Sequence, residues 1–387
     1  MKKNSILLII IAIVMVFSAK AQEVRKNKKN GGFSFTILKD VASTEVKNQY
    51  KSGTCWTYSS QSFLESEAIK KGKGTFDLSE MFIVRNMYSL KAQKYMRWGG
   101  AVSFGPGGEF HDVINCARIF GIVPQLAYTG FPYGGTKPMH GEMDAVVKAM
   151  MDAALKLPDG KLSPALSKSV EATLDNYLGK VPESFNFAGK MYTPASFRDY
   201  IGINPDDYVE VTSFTHHPFY EKFALEVSDN WANYQDYNVP LNEMMGIIDN
   251  ALDNGYTVAW AGDVSEKGFS FKNGVAIVPE KDWVDMTQEE MDSVFNHPLK
   301  QRVITQELRQ EGFDNLSTTD DHGMHIIGKA KDQTGEVYYI VKNSWGTDRN
   351  DAKGYFYASA SYVAYKTTSI MINKNAIPKE LAKKMKI

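Results

Sequence analysis

Covalent chemistry at neutral pH could come from two kinds of side chain here: the thiols of Cys55 and Cys116, and seven histidines. Cys55 ends the string Asn48-Gln49-Tyr50-Lys51-Ser52-Gly53-Thr54-Cys55. The segment that follows carries Trp56, Phe63, Leu64, Ala68 and Ile69, a spacing that predicts one apolar helical face with Cys55 at its start. A thiolate is the nucleophilic form of cysteine, and the positive end of a helix favours it, so a lowered thiol pKa is expected. Gly53 lets the backbone approach a substrate, and Trp56 follows the sulfur directly. Gln49 could donate to a developing oxyanion together with the Cys55 backbone N–H. Most free cysteines are simply buried. That is the expectation for Cys116, which stands between Ile114 and Ile119 in a helical pattern.

A nucleophilic thiol needs a base, and the base needs a third group to orient it. His322 lies in Asp320-Asp321-His322-Gly323-Met324, just before an apolar strand. Asn343 lies in Lys342-Asn343-Ser344-Trp345-Gly346, just after another. Asn343 could accept from one imidazole nitrogen and turn the other toward Cys55, with Trp345 shielding that bond from water. His325 falls on the opposite face of the strand from His322 and is expected to be structural. His216 and His217 read as surface residues without an acidic partner at metal-ligand spacing. His111, His140 and His297 carry no signal.

Helices are predicted over 55–71, 79–96 with Ser79 as N-cap, 111–120, 140–156, 164–178 and 241–254. Strands are predicted over 33–38, 256–261, 324–330, 337–342, 355–358 and 369–372. Helices early and strands late indicate an α+β chain of two subdomains. Hydrophobic residues at 43% and charged residues at 23% exclude a disordered or collagen-like chain. A net charge of −1 gives no reason to expect a nucleic-acid partner.

Met1–Ala21 has Lys2 and Lys3, an apolar run from Ile6 to Phe17, and Ala19-Lys20-Ala21. This is the pattern of a secretory signal peptide cut after Ala21, and the run is short of the ~20 residues a membrane anchor needs. A periplasmic or secreted location is therefore expected, with no stable membrane anchor.

Gln49, Ser-Gly-Thr-Cys-Trp (52–56), Asp-His-Gly (321–323) and Asn-Ser-Trp-Gly (343–346), in that order, resemble the signatures of papain-like cysteine peptidases. Ser52 stands where that pattern carries a cysteine, and Cys55 and His322 are 267 positions apart, roughly 120 more than the pattern's usual spacing. Gly107-Gly-Glu-Phe-His-Asp112, Gly179-Lys-Val-Pro-Glu-Ser-Phe185, Tyr192-Thr-Pro-Ala-Ser-Phe197 and Ala259-Trp-Ala-Gly-Asp263 extend the similarity to the bleomycin hydrolase and aminopeptidase C branch. The resemblance implies a helical subdomain with Cys55 and a barrel-like subdomain with His322 and Asn343. It divides the chain into signal peptide (1–21), flexible leader (22–34), helical part (35–127), insertion (128–240), β-rich part (241–373) and tail (374–387). It implies aminopeptidase action on peptides with no metal or organic cofactor, a hexameric cage, and a C-terminus lying in the cleft. Two readings stay open beside it: a papain-like endopeptidase and a non-catalytic scaffold.

Overall fold

The computed structural model describes residues 22–157 and 160–387, so the expected signal peptide lies outside the described residues. The segment expected as a flexible leader is instead built into the sheet. β1 (Val24–Lys26) pairs antiparallel with β2 (Ser34–Asp40), and Asn27 is buried with its amide donating to Asn273 O. Its polar sequence concealed this, because the pairing uses backbone groups rather than apolar side chains.

α1 (Cys55–Lys70) runs through the centre of the molecule. The expectation of one apolar face is overturned: Trp56 through Ala68 are all buried. The polar residues among them are tolerated because most find partners. Gln61 donates to Ser79 O, Glu65 accepts from Leu78 N and Lys47, and Glu67 accepts from Asn373. α2 (Glu80–Arg97), N-capped by Ser79, and α3 (Phe110–Ile119) pack beside α1.

α4 (Gly141–Leu155) and α5 (Pro164–Leu178) complete this helical core, with Met143, Val147, Val170 and Leu174 joining Phe82 and Val84. The expected insertion is thus divided between two layers. Its first part thickens the helical core, together with the hairpin β3 (Phe185–Phe187) and β4 (Lys190–Tyr192) and with α6 (Pro194–Tyr200). Its second part supplies β5 (Tyr208–Thr212), β6 (Lys222–Phe223) and β7 (Asp236–Asn238) to the main sheet.

After α7 (Leu241–Asp253) come β8 (Val258–Gly262), β9 (Phe269–Ser270) and β10 (Val275–Ala276), then α8 (Gln288–Ser293) and α9 (Gln306–Asp314). β11 (His322–Lys331), β12 (Val337–Lys342), β13 (Tyr355–Ser359), α10 (Ala360–Lys366), β14 (Thr367–Asn373) and α11 (Lys379–Met385) finish the chain. The main sheet runs β6-β7-β5-β14-β8-β11-β12-β13-β10-β9, with β2 added along the second half of β11. On β8, Ala259 and Ala261 face α1, whereas Val258 and Trp260 face α7, the alternation a strand imposes. The small alanines let α1 come close. The fold is α+β, as read from the sequence.

The register fixes where the C-terminus goes. Thr367 at the start of β14 lies opposite Gly262, which lies opposite His322. β14 then runs away from that end, Met371 pairing with Ala259, and six residues of strand cover about 20 Å. From there α11 docks along α7, on the face of the sheet away from α1: Leu381 and Met385 are buried against the α7 side, and Lys384 donates to Glu243 in the first turn of α7. Residues 374–387 therefore do not lie in the cleft, contrary to what the resemblance implies. Their apolar positions, Ile377, Leu381 and Met385, have a core to enter where they are.

Candidate active site

Cys55 is the first residue of α1, where backbone N–H groups have no intrahelical acceptor. The N-cap residue, Thr54, makes no side-chain cap, because Ser52 Oγ engages its hydroxyl at 2.6 Å. Ser52, where the resembled pattern has a cysteine, thus occupies the Thr54 hydroxyl. Gly53 adopts φ +68, and a Cβ there would stand 2.6 Å from the Pro106 ring, so both conformation and packing require glycine.

His322 opens β11 and Asn343 follows β12, so neighbouring strands bring them together across 21 positions of sequence. Asn343 Oδ1 lies 2.7 Å from His322 Nε2 and also accepts from the Ser344 backbone N–H at 2.7 Å. The second bond identifies that atom as the amide oxygen. Nε2 therefore carries the imidazole proton and Nδ1 is left as an acceptor. The Trp345 ring covers the imidazole with centroids 4.7 Å apart. His325, three residues on and so on the other face of the strand, points to α1 and meets Ser62 at 2.8 Å. Lys342 donates to the same hydroxyl. This buried bridge ties α1 to β11 and β12 and sets the height of Cys55 against His322.

The closest seam is at Gly323. A Cβ there would fall 2.8 Å from Ser59 Oγ and 3.2 Å from Trp56 Cα, so the His-Gly backbone lies directly on the first turns of α1. Burial pushes the Cys55 thiol up to about 12, while the Gly323 and Trp56 backbone N–H groups act the other way and Asp320 and Asp229 add to the rise. Desolvation thus opposes the lowering expected from the helix start. Burial likewise takes His322 down to about 4, with Asn343 opposing. Burial holds each group neutral alone; a thiolate and an imidazolium formed together stabilise one another.

Gln49 is brought in by pairing of its segment with the loop after β12. Gln49 N donates to Ser344 O at 2.8 Å, Asn48 bridges Trp345, and Gly346 N donates to Lys47 O. Ser344 Oγ donates to Gln49 Oε1 at 2.5 Å, which turns the amide NH₂ the other way. Ser344 thus orients Asn343 through its N–H and Gln49 through its hydroxyl. Sequence reasoning did not single it out; its position between Asn343 and Trp345 was the only signal. Ser344→Ala is expected to lower kcat about 10-fold at unchanged KM, with a smaller effect in a Gln49→Ala background. Steady-state kinetics of the three variants check this; full additivity would separate the two residues.

Trp56 donates from Nε1 to Pro106 O at 2.9 Å and is buried beneath the Gly105–Gly108 segment. Cys116 is buried in α3, as expected. Among the described residues two clusters could hold a metal. His216 and His217 both bond Glu226, at 3.0 and 2.9 Å, which corrects the expectation that they have no acidic partner; Glu226 reaches them when the chain doubles back. His111, Glu210 and Asp236 converge in the interior.

Burial disfavours a charge on His111, but Glu210, Asp112 and Asp236 facing it outweigh that and raise it to about 9. A raised folded value means His111 contributes fully below its unfolded pKa near 6.5 and loses that contribution as pH rises through about 9. Thermal melts are expected to show a loss on the order of 3 kcal/mol across that window. His111→Gln should remove the slope; an unchanged slope would place it elsewhere.

A profile of the Peptidase C1-like family matches residues 165–387, more than half of the chain. The chain belongs to the Peptidase C1-like family. It is a cysteine peptidase. The matched span contains His322 and Asn343, and the structure joins Cys55 and Gln49 to them. Aminopeptidase C of Lactobacillus delbrueckii subsp. lactis is 21% identical, the alignment covering 94% of this chain and 86% of that protein. Aminopeptidase E of Lactobacillus helveticus is 25% identical over 89% of this chain and 86% of that one. The mitochondrial cysteine proteinase 1 of Saccharomyces cerevisiae (strain JAY291) is 21% identical over 90% and 79%. The crystal structure of pepw from Lactobacillus rhamnosis superposes with a TM-score of 0.70 at 19% identity, covering 91% of this chain and 84% of that one. That likeness shows a shared papain-like fold.

Proposed function

We propose that this chain is an aminopeptidase in which Cys55 is the nucleophile, His322 the acid–base and Asn343 its orienting partner. The observation that carries this is the 2.7 Å bond from His322 Nε2 to Asn343 Oδ1, which leaves Nδ1 unprotonated, with the next residue, Gly323, packed on the first turns of α1. The Cys55 thiol gives its proton to Nδ1, and the sulfur attacks the scissile carbonyl carbon. The carbonyl electron pair moves to oxygen, where Gln49 Nε2–H and the Cys55 backbone N–H receive it. Collapse breaks the C–N bond, and the imidazolium returns its proton to the departing amine. Water then attacks the thioester, losing a proton to His322, and the acid leaves as the thiol re-forms. Trp345 excludes water from the His322–Asn343 bond, while Trp56 and Gly53 shape the floor on the Cys55 side.

The aminopeptidase names of the relatives support removal of N-terminal residues. The docking of the tail on α7 favours a second reading, endopeptidase action, because residues 374–387 block no part of the cleft. An aminoacyl-coumarin amide with a free α-amine, compared with its N-acetylated twin, separates them. Cleavage of the free form alone is expected; equal cleavage would overturn the aminopeptidase reading and leave the endopeptidase.

Export is part of the proposal, supported by Lys2, Lys3, the Ile6–Phe17 run and Ala19-Lys20-Ala21. The processed protein should begin at Gln22, which N-terminal sequencing reads directly. Among the described residues no helix is long and apolar enough to cross a membrane. A homo-oligomer, hexameric in the family it resembles, is proposed on that resemblance, and light scattering gives the mass.

A further inference from the structure

The part of a peptide beyond the scissile bond must leave on the His322 side, because His322 gives its proton to the departing nitrogen. Trp345 covers that imidazole. The chain at 47–51 is fastened to the Trp345 loop by the Asn48–Trp345 bridge, the Gln49 N–H on Ser344 O and the Gly346 N–H on Lys47 O. The Gly105–Gly108 segment lies on the Cys55 side instead, against Gly53 and Trp56. Whatever follows the scissile bond therefore runs out past residues 48–51. Gln49 receives the carbonyl oxygen of that bond, and Tyr50 is the next residue.

Tyr50 stands there with φ +47, a left-handed backbone that a bulky side chain rarely takes. Three bonds impose it: the Tyr50 N–H donates to Asn48 Oδ1 at 2.9 Å, the Ser52 N–H to Gln49 O at 3.1 Å, and the Lys51 N–H to Pro138 O at 3.2 Å. The ring is left 42% exposed beside the oxyanion donor. Pro138 belongs to the insertion, and the bridge between Lys51 and Met139 brings Lys137 to the same place. Lys137 Nζ lies 5.3 Å from the Tyr50 ring centroid and Lys51 Nζ 5.8 Å, and both lysines are exposed. No acidic residue occurs at 46–64 or at 113–141. Lys47, in the same segment, is tied to Glu65, Asp77 and Glu80, whereas among the described residues Lys51 and Lys137 make no ion pair. Two like charges gathered about one ring repel, and an anion seated between them relieves that repulsion.

We infer that Lys51 and Lys137, ranged about the Tyr50 ring, form a subsite for a carboxylate carried by the peptide just beyond the scissile bond. This rests on the Cys55–His322 reading and holds for aminopeptidase and endopeptidase action alike. The carboxylate is the free C-terminus of a short peptide or the side chain of an aspartate or glutamate, which present the same two oxygens. Lys51 is two positions from Gln49, at most about 7 Å of chain, so the carboxylate belongs to the first few residues after the bond. Lysine suits the task, because a point charge on a flexible stem follows carboxylates placed at slightly different distances. The Tyr50 ring offers an apolar face to the chain in between, and Met139, 62% exposed, widens it.

The test measures kcat/KM of the full chain on X-Ala-Ala as the free acid and as its C-terminal amide, and on the amides of X-Ala-Asp and X-Ala-Asn. X is the residue that aminoacyl-coumarin amides show to be cut fastest. Wild type, Lys51→Gln, Lys137→Gln and the double variant are compared at low and at physiological ionic strength. At low salt the wild type is expected to favour the carboxylate member of at least one pair about 10-fold, each single variant to keep part of that preference, and the double variant none. Physiological salt should shrink the preference, because exposed charges are screened beyond about 8 Å, a response that a purely structural role would not give. A preference in the first pair assigns the terminal carboxylate, and one in the second assigns the acidic side chain. Equal cleavage within both pairs by the wild type, or a double variant with the wild-type preference, would overturn the subsite and leave the Cys55–His322 reading intact. A wild type that cuts neither the peptides nor the coumarin amides would overturn both. Thermal melts identify a variant that fails to fold, and the remaining single variant then decides on the same ratios.

Discussion

Cys55→Ala is expected to lower kcat by about 10⁴-fold or more, without shifting the thermal melt. The loss should be this large because no second thiol is placed to take over. Cys116 is fully buried in α3, and the sequence has no third cysteine. What remains in the variant is the oxyanion donors and the binding surface, which act on a carbonyl that nothing attacks. Stability should hold, since Cys55 is partly exposed at a helix start and its sulfur fills no core position. The same variant supplies a stoichiometry check. Under native conditions wild-type protein should take up one iodoacetamide label and the variant none, because Cys116 is inaccessible. Retained turnover in Cys55→Ala, or a label that persists, would remove the thiol from the mechanism.

Gly323→Ala is expected to cost about 10²-fold in kcat and on the order of 1–3 kcal/mol in stability. The new methyl would stand 2.8 Å from Ser59 Oγ, 3.2 Å from Trp56 Cα and 3.3 Å from Phe110 Cε1. Ser59 is fixed by its bond to the Cys55 carbonyl, and Trp56 Cα is helix backbone, so neither yields by a simple rotation. Relief comes from separating β11 from α1. That motion carries His322 away from Cys55 and draws the Gly323 N–H off the sulfur. Geometry near the reacting atoms is where a displacement of about 1 Å is felt most. The distinctive readout is a fall in kcat together with slower alkylation of Cys55, since both reaction partner and N–H donor recede. An alanine variant with wild-type kcat and melting temperature would show that the seam is looser than the packing implies.

Much of the site was legible from residue types in order along the chain. Cys55 at a helix start, His322 before a strand and Asn343 after one are local patterns, and each follows from short-range propensity. The boundaries of α5, β12 and the first residue of α1 were readable for the same reason. The amphipathic reading of α1 failed because burial on all sides depends on what surrounds a helix, and buried serines and glutamates look like a solvent face until their partners are known. The leader failed for a related reason: β1 is held by backbone hydrogen bonds to β2, which leave no mark on side-chain pattern. Ser344 was visible as a residue but not as a linker, because its two bonds reach Asn343 beside it and Gln49, which is 295 positions away in sequence.

The sequence by itself determined the identities of the reacting groups, their order and the α+β class, because chemistry is set by residue type and secondary structure by near neighbours. Only the tertiary structure decided the ionisation of Cys55, the company it keeps and the path of the C-terminus. Desolvation depends on how many atoms surround a group. The approach of Asp229 and Asp320 to the sulfur depends on long-range chain return. The tail's position depends on the direction of β14, which strand register alone fixes. Each is a sum over contacts between residues far apart in the chain, and no local pattern encodes it.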